Sequence, residues 1–280
     1  MVKLKTLRES AIELMSQSDI KEARADTDFL LFFLLGADKK DILLGEKLVD
    51  KKQEENFLNA VKRRIEGEPV QYITGETEFM SLRFFVDKST LIPRADTEIL
   101  VEKCLEYAEK YNIETVLDIG TGSGCIGESL CVYNKNIKAS LMDISKDALK
   151  MAEKNAKSLG VEDSVELLNA DVLKMEELKG QFDLVVSNPP YIETHVVKTL
   201  EEKVTDYEPV SALDGGEDGL LFYRKITHLA AEKCRFIAFE IGYNQKDTVR
   251  EIMEEYFYEI ELFSDYGKNP RVLIGKNKQI

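Results

Sequence analysis

The chain has 280 residues, 44% hydrophobic and 32% charged, with a formal net charge of −14. Its longest purely apolar run, Phe29 to Leu35, is seven residues, far short of the roughly 20 that a membrane-spanning helix needs. The acid excess is uneven, net −2 over residues 1–85 and −12 over residues 86–280; an acidic body repels phosphate backbones, so no direct nucleic-acid partner and no membrane is expected.

At the N-terminus Lys3, Lys5 and Arg8 are followed by Glu9 and Glu13, which interrupt any signal-peptide core, and a cytoplasmic location is the expectation. The four cysteines (Cys104, Cys125, Cys131, Cys234) are scattered and the two histidines, His195 and His228, are not clustered. That pattern supports neither a metal site nor a disulfide framework, so the thiols are expected to act as small apolar fillers.

Residues 1–67 read as helices only. Leu4, Leu7, Ala11, Leu14 and Met15 recur at helical spacing, as do Ala25, Phe29, Phe32 and Phe33, and then Phe57, Leu58, Val61 and Ile65 before Gly67. Residues 68–87 change character: β-branched and aromatic residues broken by Gly75 suggest an extended linker and a hairpin, with Phe79, Phe84 and Phe85 as hairpin core. The division expected is a helical domain over 1–75, a hairpin linker over 76–87 and an α/β domain over 88–280.

From Ala95 onward helical and strand patterns alternate. Strands are predicted at Thr115–Ile119, Ile137–Met142, Val165–Asn169, Leu184–Ser187, Phe236–Glu240, Glu259–Phe263 and Arg271–Gly275, with helices such as Lys146–Leu159 and Leu220–Glu232 between them. Such alternation implies right-handed crossovers and a doubly wound, mainly parallel seven-stranded sheet. Only residues 264–270 separate the last two strands, which favours an antiparallel hairpin at the sheet edge.

The segment Val116-Leu117-Asp118-Ile119-Gly120-Thr121-Gly122-Ser123-Gly124-Cys125-Ile126-Gly127 reads as a strand, a glycine turn and a helix start. Residues 122–127 satisfy G-x-G-x-x-G, a weak signal alone. Asp118, where the strand ends, would repel a pyrophosphate bound at the following helix. A ligand carrying an ammonium and a sulfonium, as S-adenosylmethionine does, suits such a carboxylate, and glycines let backbone approach the ligand closely. Asp143 ends the second strand, where an acidic side chain accepts hydrogen bonds from ribose hydroxyls, and Asp171 follows the third.

The fourth strand runs into Asn188-Pro189-Pro190-Tyr191. Two prolines cannot continue a ladder and fix an extended turn. They leave the Asn188 side-chain oxygen and the Pro189 carbonyl as free acceptors, matched to the two N–H bonds of a primary amide or exocyclic amine, while the Tyr191 ring lies against its flat face. A proline-rich turn after any buried strand has the same composition; its place at the fourth strand behind a glycine turn is what points to methyl transfer onto nitrogen.

With both motifs present the chain resembles the HemK/PrmC family, the protein-(glutamine-N5) methyltransferases that act on peptide-chain release factors. The resemblance covers nearly the whole length. It includes Gly67-Glu68-Pro69-Val70-Gln71-Tyr72-Ile73-Thr74-Gly75, Leu91-Ile92-Pro93-Arg94-Ala95-Asp96-Thr97-Glu98 and Tyr207-Glu208-Pro209. It continues through Leu213-Asp214-Gly215-Gly216-Glu217-Asp218-Gly219-Leu220, Tyr223-Arg224, and Glu240-Ile241-Gly242 with Gln245. Ala95 departs from it, standing where the family usually has proline.

The resemblance implies the S-adenosylmethionine-dependent methyltransferase fold, with Gly120, Thr121, Gly122, Ser123, Gly124, Asp143, Asp171, Val172 and Asn188 at the cofactor. It implies Asn188, Pro189, Pro190 and Tyr191 around the glutamine of a Gly-Gly-Gln motif, with Asn188, Pro189 and Tyr191 as the catalytic set and no metal. The helical domain would dock the release factor. A ribosomal-protein glutamine methyltransferase would share these residues, and N-P-P-Y is also found in adenine-N6 methyltransferases of nucleic acids, which the acidic composition disfavours. Arg94 and Glu98 read as a structural ion pair, His195 as a surface-loop histidine, and Glu240 as a residue that orients or caps the pocket.

Overall fold

The computed structural model describes residues 1–199 and 207–277; the last three residues of the expected 88–280 domain, and seven within it, lie outside the described residues. The chain divides into two compact units, Met1–Thr77 and Glu78 onward.

The first unit is built on helices α1 (Leu4–Gln17), α2 (Ala23–Leu35), α3 (Lys39–Leu44), α4 (Lys51–Ile65) and α5 (Val70–Thr74). Leu4, Leu7, Ala11 and Met15 of α1 meet Leu30, Leu31 and Leu35 of α2 and Phe57 and Val61 of α4 in one apolar interior. Helix α4 begins six residues before Phe57, the first residue of its apolar pattern, because Asp50 and Gln53 form a reciprocal capping box that satisfies otherwise unpaired amides.

Three expectations are corrected in this unit. A two-stranded antiparallel ribbon, β1 (Val2–Lys3) with β2 (Leu48–Val49), joins the helices. The buried stripe of α2 is Ala23, Asp26, Thr27, Leu30, Leu31 and Leu35, leaving Phe32 exposed and Phe29 and Phe33 half-buried in a ring cluster of their own; in an all-apolar run the period is hidden, and the polar Asp26 is buried because it pairs with Arg64 at 2.7 Å. Residues 70–74 form a helical turn, closed by Gly75 at φ 75°, although β-branched residues favour strands there.

The expected hairpin is present as β3 (Glu76–Phe79) and β4 (Leu82–Phe85). Its turn residues Met80 and Ser81 both take positive φ, 52° and 56°, the geometry whose twist matches a two-residue hairpin. Phe79 and Phe84 are buried edge to face at 6.0 Å. Glu98 accepts from the Met80 amide at 2.6 Å, so it is a hairpin anchor and not the partner of Arg94.

The second unit is a seven-stranded sheet with helices on both faces. Its strands are β5 (Thr115–Ile119), β6 (Lys138–Asp143), β7 (Val165–Asn169), β8 (Phe182–Ser187), β9 (Cys234–Glu240), β10 (Phe257–Ser264) and β11 (Pro270–Asn277), in the order β10-β11-β9-β8-β5-β6-β7. All run parallel except β11, which is antiparallel to both neighbours. The terminal hairpin is as expected, with β10 as the edge and β11 inserted against β9.

Helices α6 (Ala95–Tyr111), α7 (Cys125–Tyr133) and α8 (Lys146–Leu159) bury one face of the sheet around Leu100, Val116, Leu130, Leu141 and Phe236. The helices Leu221–Ala230 and Lys246–Glu254 cover the other around Leu117, Val185, Tyr223, Phe239 and Leu273. All four cysteines are buried free thiols, in line with their reading as fillers. Among the described residues no helix is long and apolar enough to cross a membrane.

The chain steps outward from β5 to β6 and β7, then crosses to β8 on the other side of β5. That reversal leaves a crevice at the carboxyl ends of β5 and β8, where open α/β sheets bind ligands. The glycine turn follows β5 and the Asn188-Pro189-Pro190-Tyr191 segment follows β8. Topology therefore brings the two motifs, 68 residues apart from Gly120 to Asn188, to one place.

Candidate active site

The glycine turn is built from beneath. Asp118 is fully buried and accepts from the Thr121 hydroxyl at 2.7 Å and from the Gly127 amide at 3.1 Å. It therefore ties the turn to the start of α7 and does not face a ligand, which corrects its reading as a cavity carboxylate. Burial pushes its pKa up to about 6 against those two hydrogen bonds. Glu128, one turn into α7, is also fully buried with neither carboxyl oxygen hydrogen-bonded, and burial together with the nearby Asp118 raises its pKa well above the ordinary value.

Above this acidic floor the backbone faces an open cavity of about 460 Å³. Its walls include Gly120, Gly122, Asp143, Asp171, Val172, Asn188, Pro189 and Pro190. A Cβ added at Gly122, where φ is +56°, would meet no heavy atom within 4 Å, so the backbone itself forms the wall there. Asp143 accepts from the Gly122 amide at 2.9 Å and from the Ser145 amide at 2.8 Å; a carboxylate has about four acceptor positions, leaving room for two hydroxyl donors. Asp171 accepts from the Leu173 amide, and Lys174 beside it holds its pKa low.

Asp143, Asp171 and Asp214 line the cavity, and among the described residues no lysine or arginine does. Such a wall is unfavourable to a pyrophosphate and favourable to a cation. The discrimination first read from Asp118 is thus carried by these three carboxylates.

The segment after β8 is clamped on its far side. The parallel bridge Ile192–Asp214 brings Gly215 and Gly219 against its backbone, with the Gly215 amide donating to the Ile192 carbonyl at 2.8 Å. At Gly219, φ +70°, a Cβ would stand 2.4 Å from the Tyr191 carbonyl oxygen, so only glycine allows the approach. Gln245 donates to that same carbonyl at 3.0 Å while accepting from the Gly242 amide at 3.1 Å. The glycine-rich run 213–220 and Gln245 are therefore braces for residues 188–191.

Asn188 sits where the β8–β9 ladder ends. Ser187 is paired with Phe239, so Asn188 and Glu240 are the next residues on neighbouring strands. The Asn188 Nδ2 donates to the Thr97 hydroxyl at 3.2 Å, and both side chains lie close enough to the buried Glu240 carboxyl to favour its charged form. Burial pushes the Glu240 pKa up to about 7, opposed first by the Thr97 hydroxyl and then by the charge of Arg271.

Of the residues singled out from sequence, Thr121, Ser123, Gly124 and Tyr191 do not line the cavity. Thr121 and Ser123 are buried in the turn, and Gly124 faces Glu128 and Ala152. Tyr191 is largely buried, packed against the interior near Glu240 and Arg271, and burial raises its pKa. Arg94 donates from Nη2 to both carboxyl oxygens of Glu208, at 2.8 and 2.7 Å, so the expected Arg94–Glu98 pair is replaced by Arg94–Glu208. Ala95 opens α6 at its first helical position, where alanine and proline are both accommodated, so the departure leaves the helix start intact. His195 is exposed, 3.2 Å from Glu193.

Sequence reading missed Asn155. It is buried on α8 and joins the Phe85 carbonyl and amide to the Ser123 carbonyl, tying the hairpin to the glycine turn. A polar residue in the stripe Ala148, Leu149, Ala152, Ala156 was the available signal. Leu221, Phe222 and Ile226, which complete the apolar wall, carried none.

Two family models match the chain: a PrmC N-terminal domain over residues 6–75 and a Methyltransferase small domain over residues 95–206. The release factor glutamine methyltransferase of Clostridium acetobutylicum is 38% identical over 280 residues, 98% of either chain. The chain belongs to the release factor glutamine methyltransferase family. Proteins of the same description from Koribacter versatilis, 35% identical with 98% of each chain covered, and Chlorobaculum tepidum, 34% identical with 95% of each covered, are further family relatives. In fold it also resembles the hMettl16 catalytic domain, solved in complex with the MAT2A 3'UTR hairpin 6, with a TM-score of 0.53, 14% identity and 81% of this chain and 82% of that one covered. That likeness extends the family's methyltransferase fold to a distant sequence.

Proposed function

We propose that this methyltransferase transfers a methyl group from S-adenosylmethionine to the side-chain amide nitrogen, N5, of the glutamine in the Gly-Gly-Gln motif of peptide-chain release factors, in the cytoplasm. The observation that carries the reading is the opening of Asn188, Pro189 and Pro190 onto the same acidic cavity as Gly120 and Gly122. The names of the relatives support the choice of partner. The helical domain, matched as PrmC N-terminal, is the part proposed to dock the release factor.

In this reading Asp143 takes the ribose hydroxyls, Asp171 and Val172 border the adenine, and the backbone at Gly120 to Gly124 runs along the amino-acid end. Thr121, Ser123 and Gly124 contribute by shaping the turn. S-adenosylmethionine, when bound, supplies an electrophilic methyl on a sulfonium. The Asn188 Oδ1 and the Pro189 carbonyl accept the two N–H bonds of the substrate amide and stabilise its nitrogen as positive charge develops. Holding that nitrogen in line with the methyl supplies most of the acceleration. Tyr191, packed behind the turn, keeps the acceptors at a fixed separation.

The test offers labelled S-adenosylmethionine and the enzyme separately to a release factor, a ribosomal-protein mixture and DNA. Label on the release-factor glutamine, lost with Asn188→Ala while cofactor binding is largely retained, is the expected result. Label found only in ribosomal protein or nucleic acid overturns it.

A further inference from the structure

Asn188 can help only if its side-chain oxygen faces the substrate. A terminal amide is symmetric in shape, and a half-turn about its last bond would present Nδ2, a donor, to the donor N–H bonds of a primary amide. Something in the protein must choose between the two orientations.

The choice is written in the wall behind Asn188. Thr97, in the first turn of α6, is 2% exposed and places its hydroxyl 3.2 Å from Nδ2. Glu240, at the end of β9, is 3% exposed, follows the Ser187–Phe239 pair beside Asn188, and has its raised pKa opposed by the polar groups of Thr97 and Asn188. A carboxylate only accepts, so it directs the Thr97 proton toward itself and leaves the Thr97 lone pairs for Nδ2. Nδ2 is then occupied inside the wall, and Oδ1 is left to the cavity.

We propose that Thr97 and Glu240 are positioning residues that fix the orientation of the Asn188 amide, and that the ionised form of Glu240 sets it. The inference rests on the reading of Asn188 as an acceptor for a substrate amide. Protonated Glu240 can donate to Thr97, whose own hydrogen then turns toward Asn188 and favours the inverted amide. The charged and titratable groups facing Glu240 are Arg271 on β11, Asp96 on α6, Cys125 on α7, Tyr191 and Tyr223. Arg271 is shared with Asp96 at 3.0 Å and Asp265 at 3.1 Å, so it supports the carboxylate without neutralising it alone. Tyr223 donates to the Glu240 backbone carbonyl at 2.9 Å, which fixes the strand end. Since burial brings the carboxyl to about 7, orientation and rate should rise together as pH passes through neutrality.

The full-length enzyme is assayed with labelled S-adenosylmethionine and a release factor, comparing wild type with Thr97→Val, Thr97→Ser and Glu240→Gln. Thr97→Val keeps the shape but removes both hydrogen-bond functions; kcat should fall by about 10- to 100-fold, the scale of losing a hydrogen bond that orients a functional side chain, with KM for both substrates nearly unchanged. Thr97→Ser should restore most of kcat. Glu240→Gln should lower kcat and flatten the rise with pH that wild type shows near neutrality. Independently of any acceptor, selective asparagine labelling should show slowly exchanging Asn188 side-chain amide protons in wild type and fast exchange in Thr97→Val. Wild-type kcat in Thr97→Val, a loss confined to KM or cofactor affinity, or unaltered amide exchange would overturn the proposal. No transfer to the release factor by wild type would instead remove the substrate assignment, with the exchange measurement still deciding the orientation. Should Thr97→Val fail to fold, the pH profile of Glu240→Gln decides.

Discussion

Gln245 and Tyr191 are 54 residues apart, yet the side-chain amide of one donates to the backbone carbonyl of the other at 3.0 Å. The same amide group reaches the Gly219 carbonyl at 3.3 Å and accepts from the Gly242 amide at 3.1 Å. One buried side chain thus gathers three loops behind the two prolines.

Gln245→Ala should leave three backbone groups without this partner, and unmade buried hydrogen bonds cost about 1–3 kcal/mol each before relaxation. We expect a lower Tm and a fall in kcat/KM for the protein substrate that exceeds any fall in cofactor affinity. Denaturation curves and cofactor titration separate the two effects.

Gly122→Ala should act in the opposite place. A left-handed alanine costs about 1–2 kcal/mol, and its methyl would project into the cavity, where nothing stands within 4 Å. Cofactor affinity should drop roughly tenfold, since a loss of about 1.4 kcal/mol corresponds to that factor. Calorimetric titration of S-adenosylmethionine measures it, and unchanged affinity would remove Gly122 from the binding wall.

Glu128 gives a pH signature to folding. A buried carboxyl whose pKa is raised on folding supports the native state below its ordinary value of 4.5, and that support is lost as pH rises toward the folded value. Glu128→Gln removes the proton linkage while keeping the shape, so its Tm relative to wild type should improve as pH rises above 4.5 toward the raised folded value. A gap independent of pH would mean that the carboxyl is not proton-linked to folding.

Arg94→Ala should uncover the cost of a buried carboxylate. Glu208 is 4% exposed whereas Arg94 is 51% exposed, so solvent screens part of the pair and the loss should be about 1–3 kcal/mol, below that of a fully buried pair. Glu208→Gln in the Arg94→Ala background should recover part of it, which paired melting curves would show.

The strands themselves were legible because the devices that mark them are local: β-branched runs for buried parallel strands, and glycine or proline where each ends. The meeting of Gly122 and Asn188 follows from the observed order, which sets β8 beside β5. Polarity inside apolar stretches was not legible in the same way. Asp118 read as a ligand contact because the sequence shows a carboxylate at a strand end but not which way it points, and only the Thr121 and Gly127 donors reveal it as a tether. The Phe29–Leu35 run gave no phase for α2, since every position satisfies an apolar pattern. Arg94 found Glu208 across 114 residues, although Glu98 stood one helical turn away.

Because β11 runs against its neighbours, it starts beside Glu240 and travels away from it, pairing Val272 with Glu240 and Lys276 with Phe236. The strand that brings Arg271 to the cavity end of the sheet therefore carries the chain out at the opposite rim. Lys276, near the far end of β11, thus stands a strand length from the Glu240 end of the sheet.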